Sequence, residues 1–205
     1  MVTIVNYGMG NLGSVRNMFK YISTESEITD DLDKISQATK LLLPGVGTFD
    51  AAMQRINRSG LKKVLDKKVI KEKTPILGIC LGMQLLTDES EEGKLKGLGW
   101  IPGKALKFKN NIEEEKFRIP HMGWNLAEEV NASPLTTSLP EESRFYFVHS
   151  YHVMVQKESN RIMQTKYGVP FDSVIARDNI YGTQFHPEKS HKFGMKLLKN
   201  FAELC

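Results

Sequence analysis

The chain has 205 residues, 40% of them hydrophobic, and a formal net charge of +4, which suits one compact domain over 1–205 with a core that needs no staples. Two cysteines, Cys80 and Cys205, are too few for a disulfide framework or a multi-thiolate zinc site, and a pI of about 8.9 is too mild for the footprint of a nucleic-acid binder. The longest nearly apolar stretch, Ile76 to Leu86, falls short of the ~20 residues that cross a bilayer, and no signal pattern opens the chain, so a reduced, cytoplasmic protein without membrane or nucleic-acid partners is expected.

Val2–Val5 reads as a short buried strand, followed by the turn-rich run Asn6–Tyr7–Gly8–Met9–Gly10–Asn11. Ser14 is the expected N-cap of a helix whose stripe is Val15, Met18, Phe19 and Ile22. Lys40–Leu43 is a second buried strand, with the loop Pro44–Gly45–Val46–Gly47 after it. Asp50 to Ile70 is helical with a break near Ser59–Gly60, and its lysine run is expected to form a solvated face. Pro75–Ile79 is a third buried strand, and a helix is expected over Leu81–Thr87. Strands alternating with helices predict an α/β fold with a mostly parallel central sheet flanked by helices.

From Gly99 the pattern turns to strands: Trp100–Phe108, Arg144–Val155, Ser173–Arg177 and Ile180–Phe185, the last two joined by a hairpin signal at Asp178–Asn179. These are the additional, antiparallel strands of the C-terminal half. Ser190–Leu204 is a closing helix with Phe193, Leu197, Phe201 and Leu204 on one side.

Chemistry concentrates at Gly78–Ile79–Cys80–Leu81–Gly82. A nucleophile on a tight strand-to-helix turn resembles the G-x-S-x-G elbow with sulfur in place of oxygen. The helix start favours thiolate over thiol, and the Leu81 N–H would face the reacting carbonyl. The pentapeptide alone fits a buried structural cysteine equally well. His186–Pro187–Glu188 tilts the balance, because residues i and i+2 of extended chain project to one side, where a carboxylate can orient an imidazole. The Pro44–Gly47 loop can offer a second N–H to an oxyanion. His149 and His152, three apart, could pair on a metal, but no further ligand cluster accompanies them, so no metal is expected.

Together P-G-V-G, G-I-C-L-G-M-Q and F-H-P-E resemble the class I, or triad, glutamine amidotransferases over essentially the whole chain. The resemblance implies a cofactor-free glutaminase with Cys80 as nucleophile, His186 as general base and acid, and Glu188 as orienter. It further implies oxyanion donors at Leu81 and around Val46 and Gly47, with Gln84 against the substrate glutamine and His149, Ser150 and Tyr151 holding its amino-acid end. Asn6–Asn11, Pro120–Asn125 and His186–Ser190 look like the glutaminase subunit of imidazole glycerol phosphate synthases. That likeness carries Met9, Asn11, Met122, Trp124 and Lys189 over as facing a cyclase subunit in a heterodimer. A paralogous subunit serving a sugar amidotransferase in surface-polysaccharide synthesis shares the motifs, and a stand-alone cysteine hydrolase is a further alternative. The expected fold takes up the chain, leaving no residues for an ammonia acceptor. Free ammonia is mostly protonated at neutral pH, so a docked synthase and a protected path are expected.

Overall fold

The structure is a computed structural model that describes residues 1–109 and 117–205. The strands are β1 (Val2–Val5), β2 (Ser26–Thr29), β3 (Leu41–Gly45), β4 (Ile76–Cys80), β5 (Glu89–Ser90), β6 (Gly103–Lys107), β7 (His121–Leu126), β8 (Glu128–Glu129), β9 (Arg144–His149), β10 (Tyr151–Val155), β11 (Arg161–Tyr167), β12 (Val169–Arg177) and β13 (Ile180–Thr183). The helices are α1 (Leu12–Tyr21), α2 (Leu32–Gln37), α3 (Phe49–Arg58), α4 (Leu61–Asp66), α5 (Leu81–Leu85) and α6 (His191–Leu204).

The main sheet runs β2-β1-β3-β4-β13-β12-β10-β6-β5, with β11 on β12 and β8 on β11. Its first five strands are parallel, and the ladders from β13 through β12 and β10 to β6 are antiparallel. The expected α/β fold with antiparallel strands in the C-terminal half is therefore present. β1, β3, β4 and β13 bury every residue, as strands covered on both faces do. Two apolar clusters result. One packs α3 and α4 through Phe49, Ile56 and Leu65, and the other packs α1 and α6 through Phe19, Leu197 and Phe201.

Several boundaries differ from expectation for identifiable reasons. Asn11, not Ser14, caps α1, its side chain accepting from the Ser14 N–H at 3.3 Å. Arg144–Val155 is two strands rather than one. β9 pairs with β7 in a separate two-stranded sheet, while β10 pairs with β6 and β12 in the main one. The change of sheet falls at Ser150, whose carbonyl accepts from the Phe108 N–H at 3.1 Å. Trp100–Phe108 shrinks to β6, with Trp100 turned to give its indole N–H to Asp66 at 2.9 Å. The helix break at Ser59–Gly60 is where expected, but a π-turn over Lys67–Lys71 follows. The wider turn rotates Lys68 out of the solvated face; it is buried and pairs with Glu72 at 2.7 Å. α5 stops at Leu85, since the Leu86 and Thr87 N–H groups bond three residues back instead of four. Leu204 leaves the α6 stripe and is exposed.

Candidate active site

Cys80 ends β4 and precedes α5 with φ +56°. A non-glycine residue in this region is held there by its surroundings at a cost, and here the glycines on either side permit it. A Cβ on Gly82 would run into the Leu43 carbonyl oxygen, and one on Gly78 would lie 2.6 Å from the Gly82 carbonyl oxygen. Helix α5 can therefore press back onto β3 and β4, which turns the Cys80 thiol out over the sheet edge. The thiol lies 4.0 Å from the Val148 carbonyl and 3.9 Å from Gln184 Nε2.

His186 follows β13, beside β4 in the sheet. Its Nδ1 meets Glu188 Oε1 at 2.7 Å, with both side chains almost fully buried. The contact does not come from extended chain as expected, because Pro187–Lys189 is a 3₁₀ turn. That turn is pinned. The His186 N–H donates to the Tyr146 carbonyl at 2.9 Å, and buried Ser190 donates its hydroxyl to the His186 carbonyl at 2.6 Å while accepting from the Tyr146 N–H.

Burial by itself would lower the His186 pKa. The hydrogen-bonding and charge influence of Cys80, together with that of Glu188, outweighs burial and pushes the imidazole up to about 10. Nε2 itself is buried and makes no well-aligned hydrogen bond among the described residues. The nearby Cys80 sulfur favours the protonated ring. Raised so far, His186 keeps its proton at neutral pH between Glu188 and the Cys80 sulfur, which is the arrangement a leaving amine needs.

A cavity of about 440 Å³ opens onto these groups, lined by Val46, Gly47, Cys80, Leu81, Gln84, His149, Ser150, Tyr151 and His186, with Glu92, Pro120 and Val148 completing it. Every residue expected to bind substrate or oxyanion lies on this wall. Gln84 is less free than expected, since its Nε2 donates to the Tyr151 carbonyl at 3.0 Å and to Gln184 Oε1 at 3.3 Å. His149 pairs with His121, Nε2 to Nδ1, at 2.9 Å rather than with His152. Two further residues with no signal in sequence bear on the site. Glu92 accepts from the Phe49 N–H at 2.8 Å, tying the start of α3 to the cavity wall, and Gln184 reaches the thiol.

Of the residues expected to face a partner, Met9 and Lys189 follow β1 and β13 of the main sheet, whereas Met122 and Trp124 lie on β7 of the two-stranded sheet. Gly47, at φ +112°, lies against Met9, whose Cε would be 2.7 Å from a Cβ there. Met122 and Trp124 alternate on the outward face of β7 and are 61% and 45% exposed. Trp124 stacks on His191 at 5.4 Å between ring centroids, and Lys189 Nζ lies 5.7 Å from the Tyr146 ring centre. Asn11 serves α1 as its cap.

The sequence matches the family described as "Glutamine amidotransferase class-I" over residues 4–204. The chain belongs to the class-I glutamine amidotransferases. This amidotransferase is 56% identical over 201 residues to the "Imidazole glycerol phosphate synthase subunit HisH 2" of Methanococcus maripaludis, covering 98% of each chain. It is 46% identical to the subunit HisH of Bdellovibrio bacteriovorus and 45% to the subunit HisH 2 of Pseudomonas aeruginosa, each over the full length of both chains. Among solved structures, a crystal structure titled as a glutamine amidotransferase superposes with a TM-score of 0.72 at 16% identity, covering 100% of this chain and 98% of that one. The structure of PurLQS from Thermotoga maritima gives 0.71 at 17%, covering 98% and 96%. These two likenesses concern the fold.

Proposed function

We propose that this amidotransferase is the glutaminase subunit of an imidazole glycerol phosphate synthase, hydrolysing glutamine to glutamate and ammonia and passing the ammonia to a cyclase subunit in a heterodimer. The observation that carries the chemistry is the buried His186–Glu188 pair, 2.7 Å apart, whose histidine lines the cavity onto which Cys80 opens. The relatives' names supply the pathway.

In the proposed reaction the Cys80 thiolate attacks the side-chain carboxamide carbon of glutamine. The tetrahedral oxyanion is held by backbone N–H groups of Leu81 and the Val46–Gly47 loop. His186 gives its proton to the departing ammonia, leaving a γ-glutamyl thioester. The imidazole then takes a proton from water, hydroxide adds to the thioester, and glutamate leaves with the thiolate restored. Glu188 keeps one face of the ring engaged throughout, so the other addresses the reacting atoms. Glutamine's amino-acid end is assigned to the His149–Tyr151 segment.

An electrophilic glutamine analogue should label Cys80 and leave Cys205 free. Cys80→Ala should abolish glutamine-dependent synthesis while the partner still works with added ammonium. Labelling at Cys205, or glutaminase activity surviving in the variant, would overturn the assignment. A second reading is favoured by the numeral 2 in two of the relatives' names: a further copy of the subunit, serving the sugar-amidating partner of surface-polysaccharide synthesis. Rescue of a histidine auxotroph that lacks its own glutaminase subunit separates the two, since the second reading predicts no rescue.

A further inference from the structure

Buried histidines outnumber those the reaction uses. His121, His149 and His152 cluster about Phe108, with ring centroids 6.4, 5.3 and 4.4 Å from its own. Two of the three are hydrogen-bonded in a continuous line. The Tyr151 carbonyl receives His149 Nδ1 at 2.8 Å, His149 Nε2 meets His121 Nδ1 at 2.9 Å, and His121 Nε2 meets Asn125 Nδ2 at 3.3 Å.

The direction of every bond follows from one group. A carbonyl oxygen only accepts, so His149 donates from Nδ1. A neutral imidazole has one donor, so His149 Nε2 accepts and His121 Nδ1 donates. His121 Nε2 then accepts from the Asn125 amide, whose remaining hydrogen goes to the Lys166 carbonyl at 3.0 Å. Burial holds His121 down at about 4 and His149 at about 3, so both rings are neutral under ordinary conditions. The same carbonyl orients the other side. The Gln84 atom facing Tyr151 must be its nitrogen, so the Gln184 atom facing that nitrogen is an oxygen, and the Gln184 amide nitrogen is turned to the Cys80 thiol. Both Gln84 amide hydrogens are consumed, which leaves its oxygen for the cavity. Gln84 meets a ligand as an acceptor.

We propose that His121 is a positioning residue for glutamine, holding His149, and through it the 149–151 segment and Gln84, in the orientation that receives the substrate. The proposal rests on the glutaminase reading and adds to it a residue that never touches the ligand. Strand alternation makes His121 the inward neighbour of outward Met122, so the line begins on the strand that carries two candidate partner-facing residues and ends at the nucleophile.

The test uses the full chain and a diazoketone analogue of glutamine, measuring the concentration at half-maximal inactivation separately from the limiting rate. His121→Asn keeps a donor at the Nδ1 position but loses the ring, which stacks on Tyr167 at 3.9 Å and Phe147 at 4.7 Å. His121→Phe keeps the ring and loses the donor. The half-saturating concentration should rise about tenfold in the Phe variant, the size expected when a buried acceptor is left bare, with the limiting rate within about threefold. The Asn variant should stay near the wild type. A purely structural role reverses that order, because stacking favours Phe, and such a reversal, or equal values in all three proteins, overturns the proposal. Should either variant fail to fold, ¹⁵N NMR of the wild type decides. The hydrogen must be on Nδ1 of both His121 and His149, and the Nε2 form of either ring defeats the assignment. Failure of the analogue to label wild-type Cys80 would instead overturn the glutaminase reading.

Discussion

Glu188 gives His186 a fixed negative neighbour, and its second oxygen is buried with no partner among the described residues. Glu188→Gln keeps the shape and removes the charge that stabilises the imidazolium. Glutamate release should drop by up to about 10²–10⁴-fold, the range of general acid–base catalysis, and less than in Cys80→Ala. Equal loss in the two would mean that Glu188 holds the fold instead. Gly82 acts through space. A methyl there collides with the Leu43 carbonyl, which is backbone and cannot swing aside. Gly82→Ala should cost about 1–3 kcal/mol, as overpacking does, read as a shift in the denaturant midpoint. It should also slow Cys80 labelling, because the elbow must open to admit the methyl. Asn11 has two candidate jobs that separate cleanly. As the cap of α1 it should cost about 1 kcal/mol on replacement by Ala, and any loss of partner binding beyond that belongs to the interface.

Among the elements, β7 divides its labour by alternation. His121 points in to the aromatic cluster, while Met122 and Trp124 point out. Met122→Ala and Trp124→Ala should leave the melting temperature nearly unchanged, because exposed side chains contribute little to folding. They should reduce partner binding or stimulation, measured as glutamate release against partner concentration, if this face is the docking surface. A large drop in stability with stimulation intact would assign Trp124 to packing on His191 and Tyr146 instead. The parallel strands β1, β3, β4 and β13 deliver the Met9, Val46–Gly47, Cys80 and His186 segments to the same edge of the sheet, where functional loops of such sheets gather. A partner seated there would reach the Val46–Gly47 loop and Cys80 together. The isolated chain should therefore release glutamate slowly, and partner plus acceptor ligand should raise turnover by about 10²–10³, the worth of one oxyanion donor. Full turnover by the chain alone would favour a stand-alone hydrolase.

For the whole molecule, the buried histidines make stability depend on pH. Burial lowers His121 to about 4, His149 to about 3 and His152 to about 4, against a reference of 6.5. Below pH 6.5 the unfolded chain takes up as many as about three protons that the folded state refuses, so stability falls as pH drops from about 6.5 toward 4. His186 has the opposite sign. Its raised pKa stabilises the fold below the unfolded value near 6.5, and that contribution is lost as pH rises through about 10. Chemical denaturation at stepped pH should show a decline on the acid side that His121→Asn makes shallower. No decline between pH 6.5 and 4 would mean that these rings are not held neutral. The acid-side cluster is also where reading along the chain reached its limit. The buried parallel strands, the Asp178–Asn179 hairpin, the elbow at Cys80 and the His186–Glu188 pairing could be read from sequence, because each depends on residues within a few positions of one another: periodicity, turn chemistry, glycines beside a nucleophile. The 3₁₀ turn that joins His186 to Glu188 could not, since it is pinned by Tyr146 of another strand, to which both His186 and Ser190 bond. The same holds for the switch of sheets at Ser150, the burial of Lys68, the approach of Gln184 to the thiol and the placement of Glu92 on the cavity wall. The order Asn125 to His121 to His149 to Tyr151 exists only in the folded chain. Its members come from β7, the end of β9 and the start of β10, and a hydrogen bond between distant residues leaves no spacing to detect. Local propensity determined which segments could carry the chemistry, and only tertiary contact decided how each polar group is oriented, because a buried donor must take whatever acceptor the fold brings to it.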